Sequence, residues 1–247
     1  EERIIAGLLY NLDFMSDETG NTLIRKEEFF KKTTELLAEK VGKEEVKNIK
    51  KLIKPCYKEL KENEDIIKVN KFFIEGRQLY NAEKRIVDDV NRILNGGWNE
   101  PSEEEAKKAF EEVVSGLEYQ LDPVQEEAVM EAVQSKFFIL TGGPGTGKTT
   151  VIETILQVIS KLKKINLNND GTEEERIVLL APTGRAAQRM KEQTKLPAKT
   201  IHSRLKLFET ETDSLLDDSE NLDPDLLIID EFSMVSTLLS STLFSKI

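Results

Sequence analysis

Apolar residues recur at helical spacing through the first hundred positions, then give way to short uninterrupted runs. Ile4, Ile5, Leu8 and Leu9 form one helical stripe. Phe29, Phe30, Thr33, Leu36 and Leu37 form a second that ends near Gly42, and Val46, Ile49, Leu52 and Ile53 form a third. In "DIIKVNKFFIEGRQLY" two apolar runs flank Lys68 to Lys71, which predicts a hairpin with Asn70 at its turn. "NAEKRIVDDVNRIL" returns to helical spacing and stops at Gly96-Gly97.

Helix, helix, helix, hairpin is the order of a winged-helix domain, with the hairpin as the wing. "GGWNEP", residues 96–101, reads as a linker. Ser102 with Glu105 three positions on makes a capping box for a helix through about Ser115. Asp122, Pro123 and Gln125 open another helix by the same logic, with proline in the first turn. From Lys136 the runs "KFFILT", "RIVLLA" and "LLIID" are separated by helical patterns, as in buried strands of a parallel sheet with crossover helices. The expected organisation is a mostly helical N-terminal module over 1–95, a linker and helix over 96–120, and an α/β lobe over 121–247.

Composition adds bounds. Of 247 residues, 33% are charged and 38% hydrophobic, ordinary for a globular chain. No apolar run approaches the roughly 18 residues of a membrane helix, and no cleavable signal pattern is present, so the expected location is cytoplasmic with no membrane partner. Cys56 is alone and cannot form an intramolecular disulfide; it fits a reducing compartment and reads as a small buried hydrophobe. The sequence begins at Glu1 inside an apolar helical pattern, so it reads as a piece of a longer chain.

A net charge of −11 repels nucleic acid overall. Locally the balance reverses. Gly184 to Phe208 carries seven basic residues (Arg185, Arg189, Lys191, Lys195, Lys199, Arg204, Lys206) and one acid, Glu192, while Glu209 to Asp225 carries eight acids and no base. Charge alone leaves two readings open, a local anion site or a solvated helical face followed by a solvated loop.

Gly142-Gly143-Pro144-Gly145-Thr146-Gly147-Lys148-Thr149 fits G-x-x-x-x-G-K-[ST] completely, and Thr150 follows it. Glycines let backbone N–H groups turn inward around phosphate oxygens, and the helix that starts at Lys148 adds its positive end. Lys148 can reach the β- and γ-phosphates of a nucleotide, and Thr149 can offer its hydroxyl to Mg²⁺. The implied ligands are a nucleoside triphosphate and Mg²⁺. Further on, "LLIIDE" puts two carboxylates at the carboxyl end of a buried strand, the edge where open α/β sheets bind ligands. Asp230 would hold Mg²⁺ and Glu231 would orient and deprotonate an attacking water. Such a pair also suits a plain helix N-terminus; a complete phosphate loop upstream favours the metal reading.

"LDPVQEEAV", "LTGGPGTGKTT", "LLAPTGRAAQRM", "AKTIHSRL" and "PDLLIIDEFSMV" resemble, in this order and spacing, the RecD-like DNA helicases of superfamily 1. The resemblance is strong over 121–247; over 1–95 it rests on "YNAEKRIVDDV" after the hairpin. It implies an α/β, RecA-like P-loop lobe behind a helical module and an ATP-dependent helicase that moves along single-stranded DNA, 5′ to 3′ in this family. It further implies that Gln125 reads the adenine edge, that Pro182, Thr183, Gly184 and Arg185 form a loop against single-stranded DNA, and that Thr200 and His202 lie on a second DNA-contacting segment. Gln125 also suits a capping role, and a lone histidine such as His202 also suits a structural one. Phe232 stands where the family commonly has a small residue, and Ser236 where it often has an acid. The resemblance also implies a second RecA-like lobe carrying an arginine for the ATP site, and recombination or repair subunits as further partners. Neither a later motif nor that lobe is found among these residues, and the expected activity of this piece alone is weak ATP–Mg²⁺ binding with little hydrolysis.

Two rival readings remain. One is a P-loop ATPase switch with no nucleic-acid role. The other is a regulatory module whose N-terminal domain binds duplex DNA or protein through Lys47, Lys50, Lys51, Lys54 and Lys58. Glu44, Glu45 and Glu59 dilute those lysines, which ranks a structural or protein-contact role for the module above duplex reading.

Overall fold

A computed structural model of the chain describes residues 1–167, 176–207 and 221–247. Phe208 and most of the acidic stretch 209–225 lie outside the described residues. The chain folds as two compact units, Glu1–Val87 with Ser236–Ser241 and Asp88–Val235 with Thr242–Ile247.

The first unit is built from α1 (Glu2–Thr19), β1 (Ile24–Arg25), α2 (Lys26–Ala38), α3 (Lys43–Glu62), β2 (Ile66–Lys68) and β3 (Phe73–Gly76). The strands form an antiparallel sheet in the order β1-β3-β2. The three helical stripes supply its core: Leu8 and Leu12 from α1, Phe29 from α2, Ile49 and Ile53 from α3, closed by Ile66 and Ile74 from the sheet. α3 runs well past the expected stripe and carries Pro55 inside it. Cys56, Tyr57 and Leu60 continue the apolar face beyond the proline, and their burial offsets the backbone hydrogen bond that proline cannot make. The hairpin turns at Asn70, whose Oδ1 accepts the N–H groups of Phe72 (2.8 Å) and Phe73 (3.0 Å). Cys56 is buried, as its composition suggested. α4 (Arg77–Asn95) follows β3.

In the second unit α5 (Glu103–Val114) and α6 (Pro123–Val133) pack with α7 (Lys148–Lys163) around Ala106, Ala109, Val129, Val133, Val151 and Ile155. Both expected capping boxes form: Ser102 with Glu105, and Asp122 with Gln125. β4 (Ile177–Ala181), α8 (Gly184–Thr194), β5 (Ala198–Thr200), α9 (Ile201–Arg204) and β6 (Leu226–Ile229) follow, and α10 (Thr237–Phe244) comes last. The strands make a parallel sheet in the order β5-β4-β6. Every residue of β4 is buried because it is the central strand with a ladder on each side, which is why "RIVLLA" reads as a continuous apolar run.

One expected strand is absent. Residues 136–141, "KFFILT", form no strand and make no backbone hydrogen bond within the described residues. Phe138 and Leu140 pack against the helical core while Ile139 between them is 74% exposed. Apolar content measures burial, whereas a strand also needs a neighbour whose N–H and C=O groups face its own. The segment is mostly half-buried, and Leu226 of β6 packs on the same core.

Glu75, on the central strand β3, is 1% exposed, and its Oε1 has no hydrogen-bond partner. Burial pushes its carboxyl up from 4.5 to about 7, with the charge of Glu83 adding to the rise. A carboxyl whose folded pKa is raised stabilises the fold fully below its unfolded pKa, and that contribution is lost as pH rises through the folded value. The chain should therefore lose at most about 3 kcal/mol of stability between pH 4.5 and just above 7 from this group. Urea unfolding at pH 5 and pH 8 should show the fall, and Glu75→Gln should flatten it. An equal fall in the variant would assign the pH dependence to other groups.

Candidate functional site

Gly142 to Thr149 follows that segment and turns into α7. Gly145 and Gly147 sit at φ +77° and +78°, a region that a side chain enters only at a cost. A Cβ on Gly142 would lie 2.7 Å from Thr146 Oγ1, and one on Gly147 would overlap Gln125 Nε2. Thr146 Oγ1 donates to the Gly143 carbonyl (2.9 Å), and Lys148 Nζ donates to the carbonyls of Gly142 (2.8 Å) and Gly143 (2.9 Å). The loop is thus braced by its own threonine and lysine. α5, α6, α8 and α9 each begin with a side-chain cap, but α7 begins at Gly147 with none. Its first-turn N–H groups have no side-chain partner, and they carry the positive end of a 16-residue helix. Pro144 is exposed; Thr149 and Thr150 are half-buried in that first turn.

Gln125 uses both ends of its amide. Its Oε1 accepts the Asp122 N–H (3.0 Å) and completes the cap of α6, while its Nε2 donates to the Thr146 carbonyl (3.1 Å). The capping role is therefore present, and the same side chain pins α6 to the glycine loop. The sequence signalled the cap; the brace on Thr146 joins positions 21 residues apart and no local spacing announces it.

The carboxyl ends of the three strands lie side by side. Ala181 pairs with Thr200, Leu180 with Ile229, and the Asp230 N–H donates to the Leu180 carbonyl (3.0 Å). This register places Pro182 to Arg185, Thr200 to His202, and Asp230 with Glu231 at one edge. Thr183 and Thr200 are N-caps: their hydroxyls accept from Ala186 N (3.2 Å) and Ser203 N (3.1 Å). Gly184, Arg185 and His202 are exposed on the first turns of α8 and α9. β5, which carries Thr200, was not expected as a strand; at three residues it is too short to show a period.

Asp230 Oδ1 accepts the Glu231 N–H (2.9 Å), and its second oxygen takes no hydrogen bond within the described residues. Glu231 holds φ +51°, a left-handed conformation unusual for a residue with a side chain and of the kind that concentrates at functional sites. It begins a short 3₁₀ turn over Phe232–Met234, and the Phe232 ring lies 5.9 Å from that of Phe244, tilted by 48°. Its bulk is thus taken up by an aromatic contact. For a divalent cation, the Thr149 hydroxyl and the open Asp230 oxygen are the hard oxygen donors that Mg²⁺ prefers, so the donor set fits. For a triphosphate, the glycine turns, the uncapped α7 and Lys148 fit as well.

The AAA domain family model matches residues 125–247. The chain is 32% identical over 144 residues to the RecBCD enzyme subunit RecD of Haemophilus influenzae, covering 50% of this chain and 21% of that protein. It is 28% identical over 209 residues to the RecBCD enzyme subunit RecD of Mycolicibacterium smegmatis, covering 74% of this chain and 32% of that one. It is 28% identical over 179 residues to the ATP-dependent RecD2 DNA helicase of Deinococcus radiodurans, covering 67% and 21%. The matches span between about a fifth and a third of these relatives' lengths. No helix among the described residues is long and apolar enough to cross a membrane.

Proposed function

The chain is RecD-like, of helicase superfamily 1, and on that premise we propose that it binds ATP with Mg²⁺ and couples hydrolysis to movement along single-stranded DNA. Gly142 to Thr150 hold the phosphates, with Lys148 against the β- and γ-phosphates. Thr149 and Asp230 hold Mg²⁺, which neutralises charge on the transferring phosphoryl group. Glu231 orients and deprotonates the attacking water, and Gln125 reads the adenine edge. Single-stranded DNA crosses the sheet edge at Pro182, Thr183, Gly184, Arg185, Thr200 and His202. The observation that carries this reading is the strand register, because it puts the acidic pair and both threonine-capped turns on one edge. Arg185 at the start of a helix is electrostatically misplaced for the helix but well placed for a phosphate. The 5′-to-3′ direction follows from the family alone. A second RecA-like lobe would supply the opposite wall of the ATP site and its arginine, so these residues by themselves turn ATP over weakly. Residues 1–95 are a winged-helix-like module and 121–247 the first motor lobe; the helix-strand-helix-helix-strand-strand order of the first unit supports the former.

Arg185→Ala is the direct test. Single-stranded DNA binding should weaken several-fold, and the slope of log affinity against log salt should shrink by about 1. A P-loop switch without a nucleic-acid role predicts no difference between the two chains at any salt concentration.

A further inference from the structure

The exposed face of α3 is a continuous lysine stripe. At 3.6 residues per turn, Lys47, Lys50, Lys51, Lys54 and Lys58 fall within an arc of about 100°, opposite the buried Ile49, Ile53, Cys56 and Leu60. All five are exposed, and residues 46–58 contain no acid. Lys43 and Lys61 extend the same face, so the stripe is about 27 Å long. Glu45 points elsewhere, to Arg3. Lys58 pairs with Glu62 at 3.4 Å in a solvent-exposed contact that holds little energy. No other stripe lysine lies in an ion pair within the described residues. The acids that dilute this helix in its sequence are thus off the stripe or at its ends.

The hairpin tip adds a second element on the same unit. Phe72 is 65% exposed and Val69 43% exposed, and Lys71 Nζ lies 5.8 Å from the centre of the Phe72 ring. The tip is held beside α3 by Lys26. Its backbone N–H donates to the Phe72 carbonyl (2.9 Å), while its ammonium sits 4.8 Å from the ring of Tyr57 on α3. The Asn70 side chain fixes the turn, so the exposed ring is presented by an ordered loop.

We propose that α3 and the hairpin tip form a duplex-DNA-binding surface, separate from the single-strand path assigned to the sheet edge. The stripe is a straight array of ammonium groups with no exposed ring among them, which suits the regularly spaced phosphates of a duplex; the single exposed ring at the tip, Phe72, is too few to stack the successive bases of a single strand. An α-helix of this diameter fits the major groove, about 12 Å wide. Phe72 with Lys71 is an apolar wedge with a phosphate-seeking cation on it, suited to a groove wall or a duplex end. Lysines are point charges without base preference, so the surface binds duplex regardless of sequence.

The test measures binding of the 247-residue chain to a blunt duplex and to one of its single strands by fluorescence anisotropy across salt concentrations. Lys50→Glu/Lys51→Glu/Lys54→Glu should weaken duplex binding at least tenfold and shrink its salt slope by about 3, with single-strand affinity changed less than threefold. The corresponding triple arginine variant should retain duplex binding. Lys71→Glu/Phe72→Ser, at the tip, should weaken it independently, and circular dichroism should show each variant folded. Duplex affinity within threefold of the unaltered chain in both the stripe and the tip variants overturns the proposal and leaves the stripe to a protein partner. Equal loss for duplex and single strand also overturns it. Arg185→Ala tests the motor reading alone, through its loss of single-strand affinity, whereas the stripe and tip variants are read by duplex affinity.

Discussion

Alanine at position 147 is expected to destabilise the second unit by about 2–3 kcal/mol and to abolish measurable nucleotide binding. Two costs add. Gly147 sits at φ +78°, where a side chain costs about 1–2 kcal/mol. The new methyl would also overlap Gln125 Nε2 and evict it from the Thr146 carbonyl, a hydrogen bond worth about 1 kcal/mol. The strained backbone is the loop itself, so its N–H groups no longer converge on one anion. Urea unfolding and titration with a fluorescent ATP analogue measure the two effects. The double variant Gly147→Ala/Gln125→Ala, compared with Gln125→Ala alone, separates them: with no amide left to evict, Gly147→Ala should cost only the backbone part, about 1–2 kcal/mol, with nucleotide affinity still absent. No further cost in that background would show that the left-handed conformation is not what the loop requires.

Lys148→Ala should raise the dissociation constant for ATP–Mg²⁺ about 10- to 100-fold while leaving stability almost unchanged. The ammonium lies over the loop on the carbonyls of Gly142 and Gly143, already at the mouth of the uncapped helix. A charged hydrogen bond to phosphate is worth about 1.5–3 kcal/mol, which sets the range. The two carbonyls that lose their donor belong to exposed residues and can turn to water, so the unfolding midpoint should barely move. Lys148→Arg keeps the charge but adds bulk in a closely fitted loop, and should restore only part of the affinity. An unchanged dissociation constant for the alanine variant would remove Lys148 from the phosphate site.

These expectations show how unevenly the sequence announces the site. The glycine loop, the helix after it, both capping boxes and strands β4 and β6 were legible because their signals are local: fixed offsets, or a buried run bounded by breakers. The segment before the loop departs from its strand pattern because apolar residues report burial while a strand is defined by pairing. β5, at three residues, carries no periodic signal. The brace from Gln125 to Thr146 could not be seen, since it depends on how α6 packs. On α3 the acids seemed to dilute the lysines in order along the chain. Projected around the helix they separate, because a 3.6-residue period sorts neighbours in sequence onto different faces.

The two caps at the sheet edge leave a last consequence. Thr183 and Thr200 each accept a backbone N–H, yet a hydroxyl that accepts still has a proton of its own to give. Aspartate would start these helices equally well but could only accept, and its charge would push a polyanion away. With threonine one atom starts the helix and, on the proposed single-strand path, also has a donor to offer a phosphate. An alanine scan here would conflate the two, whereas exchange for aspartate keeps the helix start while replacing the donor with a charge that repels a polyanion.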